Sequence, residues 1–344
     1  MSTLQPDVLV RVENLVKWFP VGSDEGGLSR KGREVVHAVD DVSLDVRHGE
    51  TLGVVGETGC GKSTLARCIS RLYDLTSGRV WFDGHDISTL KRRELRPFRS
   101  EMQMIFQDPY NSLNPRRRVG SIIGDPFAIQ GTLDGKARKQ AVQQLMELVG
   151  LNPEHYNRFP AEFSGGQRQR IGVARALALR PKLVICDEPV SALDVSIQAQ
   201  IINLLADLQQ ELRLTYLFIA HDLSVVRHVS DRIAVMYLGK IVEVAETEEL
   251  FSSPRHPYTN ALLSAIPDLD GQTPEGKRIL LRGDVPSPVS PPTGCRFHPR
   301  CPKARDVCAV EEPSLEAGSG DRALACHFPV EPGELVHPAG AALR

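Results

Sequence analysis

The sequence predicts an α/β domain that is interrupted by a helical segment and followed by a different C-terminal module. Short apolar runs of strand length alternate with helical patterns over residues 8–253. Residues 115–180 instead show helical periodicity and no clear strand, which indicates a helical insertion. Residues 271–344 contain 11 of the 24 prolines and four of the seven cysteines. This asymmetry predicts a second module at the C-terminus.

The elements follow in a regular order along the chain. Two β-like runs, residues 8–12 and 36–46, predict a small N-terminal sheet, and the polar, Gly-rich residues 22–34 between them predict an exposed loop. Apolar residues at helical spacing predict helices over residues 62–72 and over Val195–Leu212. Compact apolar runs predict buried strands at residues 51–55, 102–106, 183–186, 214–220 and 233–237.

Length, composition and charge exclude several classes of protein. The 344 residues suggest about two domains, and 41% hydrophobic with 24% charged residues is typical of a globular chain. A net charge of −2, from 41 Lys and Arg against 43 Asp and Glu, argues against a general nucleic-acid-binding protein. No apolar run reaches the roughly 18 residues of a membrane-spanning helix. The N-terminus has no basic segment before an apolar core, so we expect no signal peptide.

A glycine-rich motif marks a phosphate-binding loop. Residues 56–64, GETGCGKST, fit G-x-x-x-x-G-K-[ST] directly after a predicted strand and at the start of a predicted helix. Glycines let successive backbone N–H groups curl around an anion, and the helix N-terminus adds partial positive charge. Lys62 is expected to reach the β- and γ-phosphates, and the Ser63 hydroxyl to ligate Mg²⁺. The predicted nucleotide-binding residues are Gly56, Glu57, Thr58, Gly59, Cys60, Gly61, Lys62, Ser63 and Thr64.

An apolar strand that ends in two carboxylates is the second feature of the predicted nucleotide site, alongside the phosphate-binding loop. Asp187 and Glu188 follow the run at residues 183–186. The first carboxylate is expected to lie beneath Mg²⁺, and the second to orient or deprotonate an attacking water.

A second anion-binding surface is predicted at residues 164–167, because a small hydroxyl and two glycines precede a helical stretch there. One nucleotide does not need two such surfaces. We therefore expect this surface to complete the site of a partner subunit. Its residues are Ser164, Gly165, Gly166 and Gln167.

In this order the motifs resemble those of ATP-binding cassette (ABC) ATPases, and the resemblance covers about residues 8–253. Under this resemblance the motifs are Walker A at residues 56–64, a Q-loop at Gln107, the signature at residues 164–167, Walker B at residues 183–187, a catalytic Glu188, a D-loop that ends in Asp194, and a switch histidine, His221. Phe163 stands where the family usually has leucine, which is a conservative apolar change.

The resemblance implies a P-loop NTPase fold of ABC type, with a mixed sheet core, a small antiparallel β subdomain, a helical subdomain at about residues 108–180 and an irregular Cys/Pro-rich tail. It implies ATP and Mg²⁺ as cofactors, with the metal held by Ser63, Gln107 and Asp187. It also implies an aromatic ring stacked on adenine. Phe19 fits the spacing and Trp18 is the alternative, although an aromatic residue there also fits a core position.

Longer segments narrow the resemblance to the ATP-binding subunits of oligopeptide/dipeptide importers. They are residues 105–116 (IFQDPYNSLNPR), 186–201 (CDEPVSALDVSIQAQI), 256–267 (HPYTNALLSAIP) and 284–302. Such a subunit would power peptide import from the cytoplasmic face of the inner membrane, as a peripheral protein. An importer of nickel or glutathione, and a soluble ABC-type ATPase without a membrane partner, are the alternatives.

The same resemblance implies the partners. They are two integral-membrane permease subunits, a second ATPase subunit in a head-to-tail dimer and, indirectly, an extracytoplasmic solute-binding protein. The second ATPase is a paralogue or a copy, and no nucleic acid is expected.

The expected domains are the ATPase at residues 8–253, the importer C-terminal region at residues 254–330 and a flexible tail at residues 331–344. His256 and Tyr258 are expected to pack the C-terminal region onto the ATPase.

Four thiolates from irregular backbone can converge on one metal centre. A reducing setting disfavours disulfides, and the C-x2–4-C pairs typical of zinc sites are absent. The resemblance implies a 4Fe–4S cluster, with zinc and unliganded thiols as alternatives, at Cys295, Cys301, Cys308 and Cys326.

Overall fold

The structure is a computed structural model that describes residues 7–21, 34–108, 112–266, 279, 281, 283–318, 320–332 and 334. Several expectations fall in part on other residues, among them residues 267–278 of the C-terminal region. The loop predicted at residues 22–34 lies outside the described residues except for its last residue. Residues 109–111 of the segment 105–116 and nearly all of the tail at residues 331–344 lie outside them as well.

Strands and helices alternate along most of the described chain. The strands are β1 (Val8–Pro20), β2 (Val35–Arg47), β3 (Thr51–Val55), β4 (Ser77–Phe82), β5 (His85–Asp86), β6 (Met102–Ile105), β7 (Leu183–Asp187), β8 (Thr215–Ile219), β9 (Arg232–Tyr237), β10 (Lys240–Glu246), β11 (Glu316–Ala317) and β12 (Ala323–Leu324). The α-helices are α1 (Lys62–Ile69), α2 (Arg96–Glu101), α3 (Val119–Gln130), α4 (Gly135–Leu148), α5 (Gly165–Leu177), α6 (Val195–Leu212), α7 (Leu223–Val229), α8 (Thr247–Ser252), α9 (Pro257–Ser264) and α10 (Asp306–Val310). Short 3-10 helices lie at Pro153–Asn157, Pro160–Glu162 and His298–Arg300.

The main sheet has the strand order β11-β12-β10-β9-β3-β8-β7-β6. Its five strands from β9 to β6 are parallel, whereas β10, β12 and β11 are added antiparallel. Every residue of β3, β7 and β8 is buried, as expected for parallel strands covered on both faces. The carboxyl ends of parallel strands meet at one edge, so this sheet brings the segments after β3, β6, β7 and β8 together.

A smaller antiparallel sheet, in the order β2-β1-β4-β5, covers α1. The helix lies between the two sheets, and its Leu65 and Ile69 share one buried cluster with Leu9 of β1 and Leu217 of β8. The α/β prediction with a small antiparallel sheet is therefore confirmed. The strand predicted at residues 8–12 is longer, because β1 continues to Pro20 through several register shifts against β2.

The segment between β6 and β7 is helical in its described part, as the sequence predicts. It contains α3, α4, two 3-10 turns and α5. Helix α3 packs against α5, and Val142 and Met146 of α4 are fully buried against them. A Cβ atom on Gly120 would lie 2.4 Å from the ring of Tyr156, so a larger residue at this position would require that ring to move.

The C-terminal region is less irregular than the sequence predicts. Two strands of two residues each, β11 and β12, extend the main sheet beyond β10, and α9 and α10 are helical. Strands this short leave no periodicity in a sequence, which is why they escape prediction. None of the helices in the described ranges is long and apolar enough to cross a membrane.

Candidate active site

The phosphate-binding loop connects β3 to α1 at the carboxyl edge of the main sheet. Its backbone favours glycine at three positions, because Gly56, Gly59 and Gly61 have φ angles of 155°, 82° and 110°. A Cβ atom on Gly61 would lie 2.0 Å from the carbonyl oxygen of Ala38. Lys62 is 4% exposed, and its ammonium group donates to the carbonyl oxygens of Gly56 (2.8 Å) and Glu57 (3.1 Å). The loop therefore holds its lysine folded inward, beneath the anion-binding backbone.

Two oxygen donors converge beside this loop. The Ser63 hydroxyl at the start of α1 donates a 2.6 Å hydrogen bond to Oδ1 of Asp187, which ends β7. Asp187 is 1% exposed, and burial raises the pKa of its carboxyl. A hydroxyl and a carboxylate are the oxygen ligands that Mg²⁺ takes in nucleotide sites, so this pair fits the predicted metal position.

The predicted catalytic residues meet at the ends of three neighbouring strands. Gln107 follows β6, Glu188 follows β7 and His221 follows β8. The Gln107 amide donates to Oε2 of Glu188 (2.7 Å), and Nδ1 of His221 lies 3.6 Å from the same oxygen. Glu188 has a φ angle of 48°, an uncommon conformation for a residue with a side chain and one that clusters at functional sites. The arrangement can orient a water molecule against a phosphate.

A cavity of about 830 Å³ opens in front of the loop. Most of the predicted residues line it: Thr58, Gly59, Gly61, Lys62, Ser63, Thr64, Gln107, Glu188 and His221. Phe19 also lines the cavity, with its ring 5.5 Å from that of Tyr73. Trp18 instead packs its ring 4.5 Å from His37, and its indole nitrogen donates to Asp40. Of the two aromatic candidates, Phe19 is therefore at the cavity.

The signature residues do not line this cavity. Ser164 and Gln167 form a reciprocal cap at the start of α5. The backbone N–H of Gln167 donates to the Ser164 hydroxyl (3.3 Å), and the backbone N–H of Ser164 donates to Oε1 of the Gln167 side chain (3.0 Å). A Cβ atom on Gly166 would lie 2.5 Å from Ile197, so α5 and α6 approach closely here. Gly165 in this turn and Asp194 at the start of α6 are also absent from the cavity lining. One chain thus presents two separate surfaces.

A buried tyrosine supports the phosphate-binding loop from behind. The Tyr258 hydroxyl accepts a 2.9 Å hydrogen bond from the backbone N–H of Glu57. Tyr258 is held by its neighbour, since Nδ1 of His256 accepts the Tyr258 backbone N–H at 3.0 Å and caps α9. Complete burial lowers the pKa of His256 to about 3, so the imidazole is neutral and can accept this bond. The sequence indicated that this helix packs on the ATPase but not that it contacts the loop.

The four cysteines of the C-terminal region lie together, at a different place in the fold from the phosphate-binding loop. Cys295, Cys301, Cys308 and Cys326 line one small cavity, which His256 also lines. Burial raises the pKa of Cys301 to about 12 and that of Cys326 to about 11, so both are neutral thiols when no cation is bound. As the side chains are placed, the described ranges contain no group of three or more His, Cys, Asp or Glu residues arranged to hold a metal ion.

Comparison with known proteins agrees with this geometry. The family described as "ABC transporter" matches residues 39–191, and the family described as "Oligopeptide/dipeptide transporter, C-terminal region" matches residues 242–308. A probable peptide ABC transporter ATP-binding protein, y4tS of Sinorhizobium fredii, is 53% identical over 98% of this chain and 94% of its own length. The oligopeptide transport ATP-binding protein AppF of Bacillus subtilis is 50% identical over 95% of this chain and 99% of its own length.

Solved structures give the same result for the fold. The ATP-binding cassette MJ0796, a dimer in a post-hydrolysis state bound to ADP and Pi, is 27% identical with a TM-score of 0.60. The match covers 69% of this chain and 98% of that cassette.

The fold and the site define an ABC-type ATPase, a class whose members bind ATP and Mg²⁺. The chain belongs to the oligopeptide/dipeptide transporter family of ABC ATP-binding subunits, as its relatives show over nearly its whole length.

Proposed function

We propose that this chain hydrolyses ATP to power the import of peptides through two membrane-spanning permease subunits. The observation that carries the proposal is the meeting of Gln107, Glu188 and His221 in front of the Lys62 loop and the Ser63–Asp187 pair. The names of the relatives, which are peptide and oligopeptide transport proteins, favour peptides over nickel or glutathione.

In the proposed site, ATP occupies the 830 Å³ cavity with its triphosphate on the loop. Lys62 turns from its two carbonyl partners to the β- and γ-phosphates, and the N–H groups of the loop bind the remaining phosphate oxygens. The adenine stacks on Phe19. Ser63 and Asp187 would hold Mg²⁺, with Gln107 as a further ligand, and the metal would neutralise charge that develops on the phosphate oxygens.

The hydrolytic step is an in-line displacement at the γ-phosphorus. Glu188 orients the attacking water and accepts its proton, while the bond from phosphorus to the β–γ bridging oxygen breaks and ADP leaves. Gln107 holds the Glu188 carboxylate in position, and His221 contacts the γ-phosphate region. The products are ADP and inorganic phosphate.

Two such chains are proposed to bind head to tail, because one chain presents the loop and the signature as separate surfaces. Residues 164–167 and Asp194 of one subunit then complete the site of the other. The second subunit is a copy or a paralogue. Closure of the dimer drives the permeases, which dock near the Gln107 segment at the cytoplasmic face of the inner membrane, and a solute-binding protein delivers the peptide outside.

The proposed units are the ATPase at residues 8–253 with its helical subdomain at about 108–180, and the C-terminal region at residues 254–330. The two units share the main sheet, since β12 pairs with β10.

The test of the catalytic assignment is Glu188→Gln. Without its base, the variant is expected to bind MgATP normally, to accumulate as a closed dimer and to hydrolyse ATP about 10²–10³-fold more slowly. Exposed Glu211 in α6 offers the matched control, and Glu211→Gln should retain wild-type turnover. Wild-type turnover of Glu188→Gln would overturn the assignment. Transport of labelled peptide, nickel or glutathione into vesicles that contain the purified complex distinguishes the substrates.

We further propose that the four tail cysteines hold a 4Fe–4S cluster. Two observations support the fit: all four line one cavity although they span residues 295–326, and the buried Nε2 atom of His256 at that cavity has no hydrogen-bond partner among the described residues. The thiols must turn towards a common centre, because they are not arranged around one as they stand. When bound, the cluster would cross-link four positions of the C-terminal region, one of them in α10.

The cluster proposal predicts brown protein with about four iron atoms per chain after anaerobic purification. Cys301→Ser should bleach it, whereas Cys68→Ser in α1 should not, because Cys68 lies between the two sheets. Colourless protein without iron would contradict the proposal, and stoichiometric zinc would support the zinc alternative.

A further inference from the structure

The C-terminal region reaches the phosphate-binding loop a second time, through an arginine. Nη1 of Arg300 lies 2.8 Å from one carboxylate oxygen of Glu57, and Nη2 lies 3.1 Å from the other. The Arg300 side chain is 9% exposed, so this bidentate pair is largely removed from water. Such paired, partly buried charges are stronger and more directional than an exposed ion pair.

Both contacts from the C-terminal region act on one loop residue. Tyr258 binds the backbone N–H of Glu57, and Arg300 binds its side chain. The supporting groups are themselves fixed by packing, because the rings of Tyr237, Tyr258 and Phe297 pack against one another at 4.7–5.3 Å. The Tyr237 hydroxyl lies 3.4 Å from Nη1 of Arg300. The loop residue is therefore held at both its main chain and its side chain.

Such a support matters to a glycine-rich loop. Glycines allow the backbone to follow the phosphates, but they also give the loop many alternative conformations when no nucleotide is bound. A loop that is already held in the binding conformation loses less entropy when ATP arrives.

The arginine also has an electrostatic consequence. Glu57 lies within the phosphate-binding loop, and an unpaired carboxylate there would repel the triphosphate. Arg300 neutralises this carboxylate from the side of the loop away from the cavity, since Arg300 does not line the cavity and Glu57 does not either. Loss of the arginine alone therefore leaves a charge that opposes ATP binding.

We propose that Arg300 and Tyr258 are positioning residues, through which the C-terminal region holds the phosphate-binding loop ready for ATP by means of Glu57. The proposal rests on the proposed function of the site as an ATPase. It assigns to the importer-specific C-terminal region a direct part in nucleotide affinity. Arg300 directly precedes Cys301, one of the residues that line the cysteine cavity.

The test compares Arg300→Gln with Asp321→Asn in the full chain. Asp321 forms a different bidentate pair between the C-terminal region and the ATPase, with Arg47 of β2, and does not contact the loop. Arg300→Gln is expected to raise the KM and the Kd for MgATP about fivefold to tenfold, with kcat changed by less than about twofold. Asp321→Asn should leave both constants at their wild-type values.

Rescue of ATP affinity by a second substitution distinguishes a positioning role of Arg300 from a general loss of structure. Because the repulsion comes from Glu57, the double variant Arg300→Gln/Glu57→Gln should bind MgATP more tightly than Arg300→Gln alone. Arg300→Lys keeps the charge but not the bidentate geometry, and should weaken binding only about twofold. It also keeps the proposal testable if Arg300→Gln fails to fold.

Two results would overturn the proposal: a wild-type KM and Kd in both Arg300 variants, or the same weakening in Asp321→Asn. Failure of the proposed function has a different signature, namely wild-type chain that neither binds nor hydrolyses MgATP.

Discussion

The phosphate-binding loop has two sides that are built differently. On the cavity side, most of the predicted side chains are polar, and the imidazole of His221 is 54% exposed. These groups pair with one another, as Gln107 does with Glu188. On the opposite side, Tyr258 is fully buried and the Arg300 side chain is 9% exposed, and both are hydrogen-bonded to Glu57.

The difference follows from what each side must do. In the proposed site, groups that bind the nucleotide must exchange their partners, and Lys62 is bonded to loop carbonyls that it would leave when phosphates arrive. Groups that support the loop never exchange, so burial and aromatic packing can hold them permanently. Variants on the cavity side should therefore change affinity or rate, and variants behind the loop should change stability as well.

The largest effect on stability is expected for Tyr258→Ala. Removal of a fully buried ring that packs on Tyr237 and Phe297 should lower the free energy of unfolding by about 3–5 kcal/mol. Urea unfolding of the full chain measures it. Val195→Ala, at a position that is 81% exposed, is the control and should cost less than about 0.5 kcal/mol. Equal losses in the two variants would contradict a buried support behind the loop.

An intermediate effect, on affinity alone, is expected for Phe19→Ala. Loss of an aromatic ring stacked on the base should weaken ATP binding by about 1–2 kcal/mol, or about tenfold. When Phe19→Ala is introduced into the Glu188→Gln chain, titration with MgATP measures the affinity without turnover. Trp18→Ala is the matched variant and should bind ATP normally, because Trp18 packs on His37 away from the cavity. If Trp18→Ala were the weaker binder, the adenine contact would belong to Trp18.

The smallest effect is expected for Asp321→Asn, which removes a tail contact that is open to water. The hydrogen bonds from Arg47 lower the pKa of Asp321 below its usual 3.8, so the folded protein releases this proton more readily than the unfolded chain. The pair therefore stabilises the fold at pH values above 3.8, the usual pKa of the carboxyl. Its contribution is lost as the pH falls from there through the lowered pKa of the folded protein. The cost of the variant should be about 0.5 kcal/mol at neutral pH, because the pair is exposed.

Thermal unfolding at decreasing pH tests the direction of this pH dependence of stability. The difference between wild type and Asp321→Asn should shrink as the solution becomes acidic. A difference that grows with acidity would mean that the Arg47 pair does not act as described.

Several elements were predictable because their signals are local. The strand Thr51–Val55 and the helix Val195–Leu212 match the predicted bounds, since a continuous buried run and a clear helical period leave little ambiguity. The strands Ser77–Phe82 and Lys240–Glu246 were not predicted. Both contain charged residues, and the second includes Glu243, which is fully buried in the fold. A charged residue in a short run masks the apolar pattern of a strand.

The residues in front of the loop were also predictable, but for a different reason. Gln107, Glu188 and His221 each follow a strand closely, and the resemblance to ABC ATPases points to them without any knowledge of their distances. The parallel sheet then places all three at one edge. The sequence thus predicted which groups carry the proposed chemistry.

Only the tertiary structure decided what stands behind the loop. Tyr258 and Arg300 reach Glu57 across 201 and 243 positions of the chain, and neither carries a local signal that names its partner. Local patterns specify strands, helices and a phosphate-binding turn because neighbouring residues determine those conformations. The contact between a distant arginine and this turn depends instead on how the C-terminal region packs against the main sheet, which is a property of the whole fold.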